Sequence, residues 1–205
     1  GERWPSMPMA AVFNRIDTLM KEAFEKVRLS AVPSLKVLLD DGQLPGDGVF
    51  DTKNEWVKSE PFGAGETRCF ITGKTDTRIL FDDGTVGVID FKTSEITPEK
   101  VTKYGRQLKG YGFAIEKPTE GMPKQVSFLG LLGINPIQYL QAGRLEGIVH
   151  SAIYFNEGFD IVPWGETERE EFYGKWLMEL AEMYANPTPP PAGRPHHGGC
   201  PAARS

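Results

Sequence analysis

The stretch from Cys69 to Thr93 constrains the fold more than any other part of the chain. Two β-rich runs, Cys69–Phe81 and Thr85–Thr93, flank Asp82-Asp83-Gly84. Short apolar runs joined at an Asp-Gly turn predict a β-hairpin. The second run, Val86-Gly87-Val88-Ile89, closes on Asp90-Phe91-Lys92. Strand residues alternate between faces, so Asp90 and Lys92 share one. Loop length then decides where the upstream acid Asp76 lies. With a three-residue loop, Phe81 faces Thr85, Asp76 lies opposite Asp90, and Lys74 lies opposite Lys92. Opposed residues stand ~5 Å apart. A two-residue Asp83-Gly84 turn slips the register by one and sends the two acids to opposite faces.

The three-residue register gathers Asp76, Asp90 and Lys92. Two like charges this close are costly without a counterion. A Mg²⁺ or Mn²⁺ ion relieves that cost, polarises a phosphoryl oxygen and acidifies a bound water. The Phe91 carbonyl is a further candidate oxygen ligand. Lys92 is placed to orient an attacking water or to stabilise a pentavalent phosphate. The plain alternative is a hairpin salt bridge, Asp76 or Asp90 with Lys74 or Lys92.

Pro98 opens a helix that is expected to run to about Ala114, with Ser94 or Thr97 as its cap. Gln107 and Tyr111 sit one turn apart on it and share a face with Tyr104. Gln107 is placed to touch a phosphate, a metal-bound water or Lys92. Tyr111 is placed to stack on a base or bond a phosphate, or simply to pack on the sheet. Lys100, Lys103, Arg106 and Lys109 recur every third residue. They are the one local basic track in the chain, read either as a path for a phosphate backbone or as a solvated face.

Elsewhere the apolar residues Phe13, Ile16, Met20, Ala23, Phe24 and Val27 predict a helix from about Met9 to Arg28. Residues 30–65 read mostly as loop, with a short helix near Ser34–Leu39. Strands are expected at Gln125–Gly133 and Gly147–Phe155, and a last helix at Glu166–Asn186. The order is helix, hairpin, helix, two strands, helix. It implies an α/β fold: a small mixed sheet flanked by helices. One domain over residues 1–186 is expected. Residues 187–205 carry six prolines and three glycines and read as an extended tail.

The chain has 205 residues, and its net charge of −5 argues against a protein that coats polyanions in bulk. It leaves room for a nuclease with a local basic track. No apolar run approaches the ~20 residues of a membrane span. Gly1-Glu2-Arg3-Trp4 shows no signal-peptide pattern. Two cysteines, Cys69 and Cys200, are too few for a disulfide framework, so a cytoplasmic setting is expected.

These motifs resemble the RecB-like branch of the PD-(D/E)XK nuclease superfamily. The shared signature is Gly73-x-x-Asp76, then Ile89-Asp90-Phe91-Lys92-Thr93, then Gln107-x-x-x-Tyr111. The resemblance covers residues 70–115 well. The closing segment, with Pro187-Thr188-Pro189-Pro190-Pro191 and then Cys200, is also similar. It implies a restriction-endonuclease-like core and Mg²⁺- or Mn²⁺-dependent cleavage of DNA, single-stranded or at ends. Asp76 and Asp90 would ligate metal, Lys92 would be catalytic, and Gln107 and Tyr111 would support it. A protein partner in a repair or defence complex belongs to the same expectation.

The chain departs from the family in two places. Many members carry a metal-binding His or acid on or near the first helix, whereas no His precedes His150 here. Asp17, ~75° from the centre of the apolar stripe at about 100° per residue, is the best substitute ligand. Its reading as a solvated helix acid stays open. Members with a four-cysteine iron–sulfur cluster are not matched, because only Cys200 stands in the tail. A non-catalytic nucleic-acid-binding or assembly module that keeps the fold is the alternative to an enzyme.

Overall fold

The structure, a computed structural model, describes residues 11–53, 55–63, 66–93, 96–133 and 158–186. The expected strand at Gly147–Phe155, the tail from Pro187, and His150 and Cys200 lie outside them. Helix α1 (Ala11–Phe24) is followed by a short 3₁₀ turn (Leu29–Ala31) and α2 (Pro33–Asp40). Strands β1 (Gly48–Asp51), β2 (Trp56–Lys58), β3 (Thr72–Lys74), β4 (Thr77–Phe81) and β5 (Val86–Lys92) come next. Then follow α3 (Pro98–Glu116), β6 (Val126–Gly133) and β7 (Gly158–Ile161). The chain closes with α4 (Glu166–Glu171), a π turn (Phe172–Trp176) and α5 (Leu177–Ala185).

Five strands form the central sheet in the order β1-β4-β5-β6-β7, and β2 with β3 forms a separate two-stranded sheet. Among the described strands only β5 and β6 pair in parallel, joined by the α3 crossover. Neighbours are otherwise antiparallel. This mixed sheet flanked by helices is the architecture expected from the sequence, and it is consistent with a restriction-endonuclease-like core.

Alternation along β5 divides the core in two. Ile89 and Phe91 face α1 and α2, packing with Met20, Phe24, Leu35, Phe50 and Ile79. Val88 faces α3 and the C-terminal helices, packing with Leu108, Leu129, Trp164 and Phe172. Asp90 and Lys92 are in step with Val88, so they project toward α3.

The hairpin takes the three-residue register. Thr77 pairs with Ile89 and Arg78 with Val88. Phe81 N donates to Thr85 O at 3.1 Å, and Gly84 N donates to Phe81 O at 3.0 Å. Gly84 sits at φ +86°, in the left-handed region that a side chain disfavours. Asp83 Oδ1 accepts from Thr85 N at 2.8 Å, closing an Asx turn that fixes the loop.

Several expectations need correction. The strand expected over Cys69–Phe81 breaks at Thr75-Asp76, where the chain leaves one sheet for the other. Thr75 is fully buried, and its N–H donates to Glu55 O at 3.2 Å. Arg78 braces the elbow, bonding Asp51 at 3.0 Å and Glu55 at 2.7 Å. Lys74 therefore pairs across from Trp56 and not from Lys92. Helix α1 stops before Arg28 because Lys26 adopts φ +66° and donates its N–H to Phe50 O at 3.0 Å. Strands β1 and β2 fall where the sequence predicts mostly loop. β1 follows a Gly- and Pro-rich stretch, and β2 has one buried residue, Val57, between two exposed ones.

Replacing Gly84 with Ala should cost about 1 kcal/mol, because the loop keeps a left-handed residue there. In a chain of this size that lowers the melting temperature by roughly 2–4 °C. Calorimetry on the Gly84→Ala protein checks it; an unchanged midpoint would mean the loop does not need that conformation.

Candidate active site

Asp90 lies near the end of β5, one of the two central strands that are buried on both faces. Its side chain is only 5% exposed. Extending the hairpin register one step past Thr77 and Ile89 sets Asp76 opposite Asp90. The two carboxyls interact directly, by charge and by hydrogen bond. Burial is the main reason that the Asp90 pKa rises, to about 7; the Asp76 charge adds to the rise and Lys92 opposes it. Asp90 Oδ2 holds a close ion pair with Lys92 Nζ, yet it is buried without a hydrogen bond of good geometry.

Lys92 is held from two sides. Asp90 pairs with its ammonium, which also sits 4.1 Å from the centroid of the Tyr104 ring. The aromatic face stabilises a cation there. Asp76 Oδ2 accepts from Phe91 N at 3.3 Å. Strand geometry sends the N–H and C=O of one residue the same way. The Phe91 carbonyl therefore points to the Asp76 side, as a ligand role requires.

Gln107 Nε2 donates to Tyr111 Oη at 2.7 Å. Tyr111 is buried against Gly73, whose absent side chain makes room for the ring. A Cβ there would lie 2.5 Å from Tyr111 Cε1. The Gly73-x-x-Asp76 and Gln107-x-x-x-Tyr111 motifs thus meet in space. Thr97 is the observed cap of α3, accepting from Lys100 N at 3.4 Å.

Lys21, on α1, was not singled out in the sequence. Its Nζ bonds Asp17 Oδ2 at 2.8 Å and Asp76 Oδ1 at 3.2 Å. Partial burial lowers the Lys21 pKa, but the Asp17 hydrogen bond and the Asp76 charge outweigh it, so the net shift is upward. Asp17 and Lys21 are four residues apart on one helix, so their ion pair was legible. The reach of Lys21 to Asp76, 55 positions along the chain, was not. Asp17 thus approaches the hairpin through Lys21. Among the described residues no three His, Cys, Asp or Glu side chains gather closely enough to hold a metal ion.

The basic track is less coherent than its spacing implies. Steps of three residues turn by about −60°, so four such residues wind half-way around the helix. Lys103 Nζ lies 5.5 Å from the Tyr104 ring centroid, near the Lys92 end. Arg106 and Lys109 instead line a groove shared with Glu168, Glu171 and Glu179. Acidic and basic side chains are thus mixed along that groove.

Two apposed carboxylates and a backbone carbonyl are hard oxygen donors, and the buried, poorly satisfied Asp90 oxygen is what a divalent cation would occupy. The residues present fit such an ion, with fewer protein ligands than a closed site has. The acid pair and the lysine stand at the end of the central hairpin of a sheet consistent with a restriction-endonuclease-like core. The sequence profile of the PD-(D/E)XK nuclease superfamily matches residues 9–205. The chain belongs to that superfamily. No curated protein matches it. No helix among the described residues is long and apolar enough to cross a membrane.

The raised Asp90 pKa sets a pH dependence. An unfolded Asp titrates near ~3.9. The cost of burying its charge is absent below that value and complete above the folded value of about 7. Metal-free protein should therefore lose stability as pH rises across that window, and Asp90→Asn should not. Thermal melts in EDTA at about pH 4.5 to 8 compare the two; parallel curves would refute the shift.

Proposed function

We propose that this protein is a Mg²⁺- or Mn²⁺-dependent nuclease of the RecB-like branch, hydrolysing DNA as an exonuclease or at flaps. A role in repair, recombination or mobile-element defence follows from that activity. The observation that carries the proposal is the register: Asp76 is set opposite a buried Asp90, with Lys92 two residues on along the same face.

In this reading Asp76, Asp90 and the Phe91 carbonyl hold the metal. Bound there, the ion would supply Lewis-acid polarisation of a phosphoryl oxygen and a water of lowered pKa. Asp17 adds a further oxygen when Lys21 moves aside. Lys92 brings an ammonium, braced by Tyr104, to the oxygens that gain charge during attack. Gln107 donates to Tyr111 Oη, which leaves the tyrosine proton to bond a phosphate oxygen. Lys100 and Lys103, on the first turns of α3, support phosphate contacts there. Arg106 and Lys109 support them less, given their glutamate neighbours.

A second reading, a binding module that keeps the fold, draws on the absence of a third acidic or His ligand among the described residues. One experiment separates the two: end-labelled single- and double-stranded DNA incubated with Mn²⁺, Mg²⁺ or EDTA. Metal-dependent cutting should fall by about 10²–10³-fold in Lys92→Ala, the scale of losing one preorganised donor to the transition state. Asp90→Ala should abolish it. Cutting that survives both substitutions removes this site from the chemistry. Folded protein that cuts nothing favours the binding module.

A further inference from the structure

The small β2–β3 sheet has an outer face that the core does not use. Trp56 is 74% exposed and Phe70, just before β3, is 52% exposed. Exposed apolar side chains gathered on one face mark interaction surfaces, whereas singly scattered ones do not. Trp56 and Lys58 share the outer face of β2, with Val57 buried between them. Lys74 lies across from Trp56, and Thr72 across from Lys58. Lys58 Nζ sits 4.6 Å from the Phe70 ring centroid. Two aromatics therefore alternate with two lysines on one face, in a chain whose net charge is −5.

Beside β2, a groove of about 420 Å³ continues the pattern, with Trp56 and Met122 as apolar lining and Lys58 and Lys124 as cations. Met122 is 86% exposed. Glu55 and Glu120 also line it, and the Glu55 carboxylate is taken up by Arg78 at 2.7 Å. The inner side of β3 is Gly73, pressed against Tyr111. Two residues after Lys74 comes Asp76. The face is thus one short strand away from the acid pair.

We propose that this face docks a single strand of nucleic acid, with unpaired bases stacked on Trp56 and Phe70 and backbone phosphates on Lys58 and Lys74. Every base offers a π-face, so aromatic platforms bind single strands with little sequence preference, and nearby cations track the backbone. A duplex hides its bases and cannot use the aromatics. Charge complementarity favours a polyanion over an acidic or neutral protein partner. The inference deepens the nuclease reading, on which it rests for the destination of the strand, by giving the site a preference for unpaired substrate.

The test is binding without cleavage. Asp90→Ala protein in EDTA is titrated into a fluorescein-labelled single-stranded oligonucleotide and into the matching duplex, and anisotropy is read. Single strand should bind more tightly than duplex. Trp56→Ala and Phe70→Ala should each weaken single-strand binding by roughly 10-fold, the scale of one lost base stack, and leave duplex binding unchanged. Trp56→Tyr should restore it. Lys58→Ala with Lys74→Ala should reduce the salt slope by roughly 1.4, about 0.7 for each phosphate contact. Both aromatics are exposed, and melting curves confirm that the variants fold. Equal binding by native and Trp56→Ala protein overturns the platform, as does an equal loss on duplex. Metal-dependent cutting by protein that retains Asp90, alongside such a result, leaves the nuclease reading standing and the platform refuted. Tight single-strand binding by the Asp90→Ala protein, with no cutting by the protein that retains Asp90, does the reverse.

Discussion

Loop parity in the β4–β5 hairpin is the constraint on which the rest depends. A three-residue loop sums the paired positions so that Asp76 falls opposite Asp90. A two-residue loop would put one acid on the α1 side of the sheet and the other on the α3 side. The loop is held by local chemistry: the Asp83 carboxylate caps Thr85, and Gly84 takes the left-handed conformation. Three polar or small residues at a surface turn thus decide whether two buried-end carboxylates share a face.

The same alternation explains how a charged pair survives in the middle of the sheet. Positions 89 and 91 carry Ile and Phe into the α1–α2 core, so β5 contributes its apolar share from one face. The other face is apolar only as far as Val88. Beyond it come Asp90 and Lys92, with Tyr104 of α3 lying against the Lys92 ammonium. Burying Asp90 raises its pKa, and Asp76 raises it further. Lys92 offsets part of that cost, and Lys21 holds Asp76 from the α1 side. Two lysines from opposite faces therefore converge on one acid pair. Like charges kept together this way are a standing demand for positive charge, which structural ion pairs elsewhere in the chain, such as Arg78 with Asp51 and Glu55, do not create.

What the sequence disclosed depended on how local its cause was. The register was legible as one of two loop lengths, and the Thr97 cap as one of two candidates with Ser94. The hairpin and the Pro98 helix start rest on neighbours a few residues apart and were legible. So were Val126–Gly133 and the α1 face that buries Met20 and Phe24. β2 was not, because three residues with one buried side chain give no periodic signal. The break at Thr75-Asp76 was hidden for a different reason. An uninterrupted β-prone run gives no local reason to change sheets; the cause is Arg78, reaching to Asp51 and Glu55. Lys21 was missed because its second partner is distant in sequence. The basic track was legible as a spacing but not as a face, because steps of three residues wind around a helix.

The elbow at Thr75-Asp76 ties these threads together. Upstream of it, β3 belongs to a small sheet whose inner glycine admits Tyr111 and whose outer face is aromatic and basic. Downstream, β4 belongs to the central sheet and carries the register that aligns the acids. Asp76 stands at the junction, bonded on one side to the Phe91 N–H and on the other to Lys21. A straight strand through this point would have set Lys74 opposite Lys92, crowding two ammonium groups together and leaving Trp56 without its sheet. Turning the chain there separates the two lysines. One stays with the acid pair, and the other goes to a surface that faces water. The bend that makes the strand hard to read is what lets one short segment serve both the acid pair and the face beside it.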